Sequence, residues 1–266
     1  MITHGTRTTH VHFSKSAYAR FRDCPQRYAY EKVERREPDV EDDPSPAALI
    51  GSAGHEAIAA ILRADCDPAT DERAADIGRA VLSEYALAPR RIEALVEPIV
   101  LAAQLAFARR GRIEYVESLV KMLRVPDATV WGKFDAVVVG GTAAPIEVID
   151  WTFGRARASR STDLLGDMGT MIYRLIAGDL FPNAAVRPIV VTQVAIAETL
   201  VPISIEMTNA DVVNSWNQVK AAIDEIRLAI DTADFPPRPG NHCAFCPYRE
   251  SCHASAPGSK LDEVPL

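Results

Sequence analysis

GKFDAVVVGGTAAPIEVIDWT, residues Gly132 to Thr152, is the stretch whose reading decides the fold. Two runs rich in Val and Ile, Thr129 to Val139 and Pro145 to Trp151, flank Gly140-Gly141, which supplies the turn of an antiparallel pair. With Ile113 to Leu123 ahead of them they make a meander of three strands. Asp135 lies inside the first run among Phe134, Ala136, Val137, Val138 and Val139, and Asp150 ends the second after Glu147-Val148-Ile149. An isolated carboxylate in an apolar strand is costly unless it is paired or bound to a cation. Adjacent strands can bring the two acids together as oxygen ligands for Mg2+ or Mn2+, an ion able to activate water during phosphodiester hydrolysis. A plainer reading stands beside this one: Asp150 caps a turn, and Asp135 pairs with Lys133 or an arginine.

Outward from the meander the pattern turns helical. Upstream, Ser14 is a plausible N-cap for a short helix that turns at Cys24-Pro25 into a second one. An acidic, Pro-containing loop at Glu37 to Pro46 follows, then helices at about 47-65, 71-86 and 90-110. His55 falls on the first of these, behind the small residues Gly51, Ser52, Ala53 and Gly54, which permit close approach of a strand. A histidine there reads either as a hydrogen-bonded packing residue or as a third ligand beside two carboxylates. Downstream, Leu164, Leu165, Met168, Met171, Ile172, Leu175 and Ile176 make one apolar helix face, followed by strands at about 187-196 and 200-206 and a last helix at about 209-232. We expect an α/β fold in a single domain over 1-266. Its mainly helical part spans 14-110, a mixed sheet of about five strands spans 111-206, and a helix with a cysteine-bearing segment spans 207-254.

The 266 residues, 48% hydrophobic, can bury one sizeable core. No apolar run reaches the roughly 18 residues of a membrane span, and Met1 to Phe13 lacks the apolar stretch of a signal peptide, so we expect a cytoplasmic protein. In a reducing compartment the set Cys24, Cys243, Cys246 and Cys252 reads as ligands for zinc or an iron-sulfur cluster, and Cys66 as a small buried hydrophobe. A net charge of -7 argues against a general polyanion-binding surface. A groove needs positive charge only along its walls, and Arg109, Arg110 and Arg112 or Arg155, Arg157 and Arg160 can supply it, although solvated surface arginines are the default for the first cluster.

Ser16-Ala17-Tyr18 leading to Cys24-Pro25-Gln26-Arg27-Tyr28, Gly54-His55-Glu56-Ala57, Glu117, Gly132-Lys133-Phe134-Asp135, Val148-Ile149-Asp150-Trp151, Tyr173 and Cys243-x2-Cys246-Pro247-x4-Cys252 occur in this order over nearly the whole chain. Taken together they resemble the RecB-type nucleases of the PD-(D/E)XK superfamily, in the branch bearing an iron-sulfur cluster. That branch includes CRISPR-associated exonucleases, their phage-encoded relatives and the nuclease domain of AddB. The resemblance implies a restriction-endonuclease-like core and a 4Fe-4S cluster on Cys24, Cys243, Cys246 and Cys252. It further implies a catalytic Mn2+ or Mg2+ held by His55, Asp135, Asp150 and the backbone carbonyl of Trp151, with Glu117 and Tyr173 in support. The substrate implied is DNA entered from a single-stranded end, with protein partners in a DNA-processing complex.

Two positions depart from the family pattern. Thr152 stands where the pattern has lysine, and Gly169 stands where the following helix usually carries glutamine. A neutral hydroxyl cannot supply the missing positive charge. Lys133, two residues before Asp135 and so on the same strand face, is the best substitute, and Arg155 the next. Losing one electrostatic stabiliser costs on the order of 2.7-4 kcal/mol in the barrier, a hundred- to thousandfold in rate. The leading reading is therefore a slow metal-dependent DNA exonuclease. The alternatives are an inactive DNA-binding or assembly subunit that keeps the fold and cluster, and a zinc-bound interaction module.

Overall fold

Runs of β-branched residues do produce the expected antiparallel pair, although the connection between them spans 140-145 and is longer than a two-residue glycine turn. In the computed structural model, which describes residues 10-40, 45-64, 66-109, 111-122, 125-141, 144-153, 160-181, 187-196 and 200-255, strand β3 (Ala128–Val139) runs antiparallel to β4 (Ile146–Thr152). Their register pairs Ala136 with Ile149 and Val139 with Ile146. The calls on Arg110, Arg155 and Arg157 lie outside the described residues. By its internal contacts the chain divides into two compact units, the first drawn from 1-43, 123-130 and 220-266, the second from 44-122 and 131-219.

The second unit holds most of a six-stranded sheet. Strand β2 (Arg112–Met122) pairs with β3, completing the meander. β4 lies parallel to β5 (Ile189–Ala195), from Ile146 opposite Ile189 to Thr152 opposite Ala195, and β5 is antiparallel to β6 (Pro202–Met207). A parallel neighbour needs a crossover, which is supplied by helix α6 (Met168–Leu180). Gly132 lets α6 approach β3 closely: a Cβ there would sit 2.7 Å from Ile176 Cδ1. Helices α3 (Pro46–Arg63), α4 (Arg73–Ser83) and α5 (Pro89–Phe107) pool Ala53, Ile58, Ile61, Leu82 and Ile99 with Ile149, Trp151 and Val194 of the sheet in one apolar core. Each Ile or Leu buried in this way contributes about 1.5-3 kcal/mol. Cys66 is buried in this core, as its reading as a small hydrophobe requires. The sheet is mixed, and helices flank it.

The first unit is built from sequence-distant pieces. Strand β1 (Val11–Ser14) leads into α1 (Lys15–Asp23), whose N-cap is the expected Ser14, accepting from the Ala17 N–H at 3.2 Å. Cys24 is extended and Pro25 opens α2 (Pro25–Tyr28), which continues as a π-helical turn over Ala29–Val33. The rings of Phe21 and Tyr28 meet edge-on at 5.4 Å. Helix α7 (Asn209–Thr232) runs from the second unit's sequence into the first, where Glu225 accepts from the Tyr18 hydroxyl at 3.3 Å. Asp39 then pins the C-terminal segment: its carboxylate accepts from the backbone N–H groups of Glu250, at 3.0 Å, and Ser251, at 2.8 Å. Among the described residues no helix is long and apolar enough to cross a membrane.

Candidate active site

Helix α3 delivers His55 because the residue before it has no side chain. A Cβ on Gly54 would lie 2.1 Å from Cζ of Phe153, so the phenyl ring occupies that space and packs against the imidazole with centroids 5.5 Å apart. The small residues ahead of His55 thus admit the end of a strand, as their sequence suggests. Facing His55 are Glu117 from β2 and Asp135 from β3: its Nδ1 lies 3.0 Å from Glu117 Oε1 and 3.5 Å from Asp135 Oδ2. Among the described residues these three form the one group of metal-ligating side chains with all ligand atoms within 4.8 Å of one another. An imidazole nitrogen with two carboxylates is a donor set suited to Mn2+ or Mg2+. Glu117 reaches the group from a left-handed backbone, φ 49°, unusual for a non-glycine residue inside a strand.

Asp150 stands beside this group and is held from other directions. The Tyr173 hydroxyl donates to Oδ1 at 3.0 Å and the Gln193 amide to Oδ2 at 3.4 Å, while the Trp151 N–H donates to Asp135 Oδ2 at 2.8 Å. Sequence reasoning named Asp150 as a ligand and Glu117 only as support, whereas the tight group contains Glu117. Gln193 was missed. Its signal is an amide at 3% exposure in the apolar strand Ile189–Ala195, and the parallel β4–β5 register sets it opposite Asp150. The backbone of Thr152 accepts from the Ile196 N–H at 2.8 Å, and its neutral side chain is partly buried. Gly169 is buried at the start of α6.

Lys133 takes the place that strand alternation gives it. It lines the same cavity of about 610 Å³ as His55, Glu117 and Asp135, and its ammonium forms an ion pair with Glu117. The rest of the wall comes from α3, through Gly51, Ser52, Glu56, Ala59 and Arg63, and from Tyr85, whose hydroxyl donates to Glu56. Of the basic clusters, Arg109 is engaged with Glu147 at 3.1 Å, Arg112 with Glu114 and Arg160 with Asp163 at 3.1 Å.

The charges are strongly biased. Burial would push the His55 pKa down, but hydrogen bonds and charge from Asp135 and Glu117 outweigh it and lift it to about 10. Burial would likewise raise Glu117, yet its contacts with His55 and Lys133 hold it below the usual carboxylate value. Asp135 is raised by burial against the opposing pull of His55. Asp150 is raised by burial and then by the charge of Asp135, with Tyr173 and Gln193 pulling the other way. Two buried acids beside a proton-loaded imidazole form a site in which a divalent cation could replace protons as the counter-charge.

The four expected cysteines meet in the first unit. Cys24, Cys243, Cys246 and Cys252 line one small cavity together with Arg27, Tyr30, Arg238, His242 and Tyr248. The Gly240 N–H donates to Cys243 Sγ at 3.4 Å, and burial raises the Cys246 thiol.

Comparison with known proteins agrees with the geometry. Residues 12–253 match the profile of the PD-(D/E)XK nuclease superfamily. The crystal structure of a candidate exonuclease from Eubacterium rectale superposes with a TM-score of 0.53 at 15% identity, covering 94% of this chain and 92% of that one, and identifies the fold as restriction-endonuclease-like. The structure of SSO0001 is a more distant likeness, with a TM-score of 0.37 at 13% identity over 92% of this chain and 88% of that one. No curated protein sequence matches the chain. With its profile match spanning both the acidic centre and the cysteine segment, the chain belongs to the PD-(D/E)XK nuclease superfamily.

Proposed function

We propose that this protein is a RecB-type, metal-dependent DNA exonuclease that acts in the cytoplasm from single-stranded ends during DNA processing. The observation that carries the reading is the convergence of His55, Glu117 and Asp135 within 4.8 Å, in a cavity also walled by Lys133. Those three side chains would hold Mn2+ or Mg2+, with Asp150 and the Trp151 carbonyl beside them. When bound, the ion supplies positive charge to a phosphate oxygen and lowers the pKa of water. Lys133 offsets the charge that develops on the phosphate, in the role the family gives to a lysine at the position of Thr152. Tyr173 and Gln193 fix the orientation of the Asp150 carboxylate, and Phe153 screens one face of the His55 ring from water.

The four cysteines that line one cavity would hold a 4Fe-4S cluster, the group that the family resemblance implies, and zinc is the other metal that four thiolates suit. The group would be structural, tying Cys24 to the C-terminal segment.

The test is cleavage of end-labelled single-stranded DNA by anaerobically purified protein with Mn2+, wild type against Asp135→Ala and Asp150→Ala. Time-dependent shortening that both substitutions abolish is expected. Shortening that survives both refutes the assignment of this site. The neutral Thr152 favours a second reading, a subunit that binds DNA without cutting it. Metal-dependent DNA binding with no cleavage, and a gain of cleavage in Thr152→Lys, would establish it.

A further inference from the structure

His242 precedes the first cysteine of the C-terminal triplet and lines the same cavity as all four cysteines. Its ring packs closely on Gly240: a Cβ at that glycine would meet Cε1 at 3.1 Å and Nδ1 at 3.2 Å. The opposite nitrogen, Nε2, is buried and has no hydrogen-bond partner among the described residues. A buried polar atom with nothing to bond calls for a partner that the protein itself does not provide. The surrounding groups indicate its sign. Two guanidinium side chains, Arg27 (ion-paired with Glu31) and Arg238, line the same cavity, so its wall carries N–H donors beside the thiols.

We propose that His242 is a positioning residue for the group held by Cys24, Cys243, Cys246 and Cys252, with its Nε2–H donating a hydrogen bond to one of that group's sulfurs. This rests on the reading of the cavity as an iron-sulfur site. Hydrogen bonds to cluster sulfurs are one of the levers that set reduction potential, because they stabilise the more negative, reduced state. The imidazole therefore holds the potential higher than the four thiolates alone would. The cavity is then more than a clasp: its electron affinity is set by a side chain that ligates nothing.

The experiment uses the full chain, purified anaerobically, with iron and acid-labile sulfide measured first and the midpoint potential then read by EPR-monitored titration. Wild type is compared with His242→Phe, which removes the donor, and His242→Gln, which keeps an N–H. Expected are about four irons per chain in the wild type, a more negative midpoint in His242→Phe, and a midpoint closer to wild type in His242→Gln. Iron lost from His242→Phe but retained in His242→Gln also supports the hydrogen bond. An unshifted midpoint in His242→Phe, or iron lost from both variants, overturns the role of His242 and leaves the cluster intact as a reading. A wild type without iron and sulfide overturns both.

Discussion

Metal binding at the acidic centre should be steeply pH-dependent, because the imidazole that would ligate the ion carries a proton when the ion is absent. The His55 pKa is lifted to about 10 by Asp135 and Glu117. At a pH of about 7.5 that leaves roughly 2.5 units of proton affinity to overcome, or about 3 kcal/mol at about 1.4 kcal/mol per unit. Below about 10, each rise of one pH unit should tighten Mn2+ binding at least about tenfold, with at least one proton released per ion, because burial raises Asp135 and Asp150 as well. Free Mn2+ measured by EPR in titrations near pH 6.5, 7.5 and 8.5 reads the slope directly, and His55→Asn should flatten it. An affinity constant across that range would refute the placement of the proton or of the ligand. The same proton governs the metal-free fold. A raised folded-state pKa means that its stabilisation is full below the unfolded value of about 6.5 and is lost as pH rises toward about 10. In chelator the melting temperature should therefore fall over that window, and saturating Mn2+ should offset the fall.

Three further outcomes follow from particular contacts. Lys133→Met should lower kcat by about a hundred- to thousandfold with little change in KM, and adding Thr152→Lys should recover part of that loss in the same cleavage assay. Glu117→Gly and Glu117→Ala both delete the carboxylate, but glycine accepts φ 49° freely, so the glycine variant should be more stable to urea by about 1 kcal/mol. Gly54→Ala drives a methyl into the Phe153 ring; it should cost about 1-3 kcal/mol in stability and weaken Mn2+ binding by displacing the ring that packs on His55.

Much of the site was legible because its logic is local. Asp135 and Asp150 interrupt apolar runs, so burial of an acid shows in the sequence, and the two-residue alternation that links Lys133 to Asp135 survives in the shared cavity wall. The hairpin and the helix order were readable for the same reason, each being set by short-range periodicity. What escaped depends on distant parts of the chain. Gln193 acquires its role only because a crossover through α6 lays β5 parallel to β4 in a register that sets it against Asp150. Glu117 joins the ligand group through a left-handed residue inside a strand, a backbone choice that no propensity of glutamate announces. His242 gave no signal either, since an unmet ring nitrogen exists only once the cavity around it has formed.

The first unit's assembly from 1-43, 123-130 and 220-266 has a consequence for biosynthesis. Cys24 leaves the ribosome 219 residues ahead of Cys243 (243 − 24), which at about 5-20 residues per second is roughly 10-45 s. Throughout that interval its thiol waits without the other three, while the second unit's helices and strands emerge and can fold. Any group held by the four cysteines would then be loaded late in maturation, and a chain that ends before residue 243 would carry the residues of the acidic centre but not those of the cysteine site.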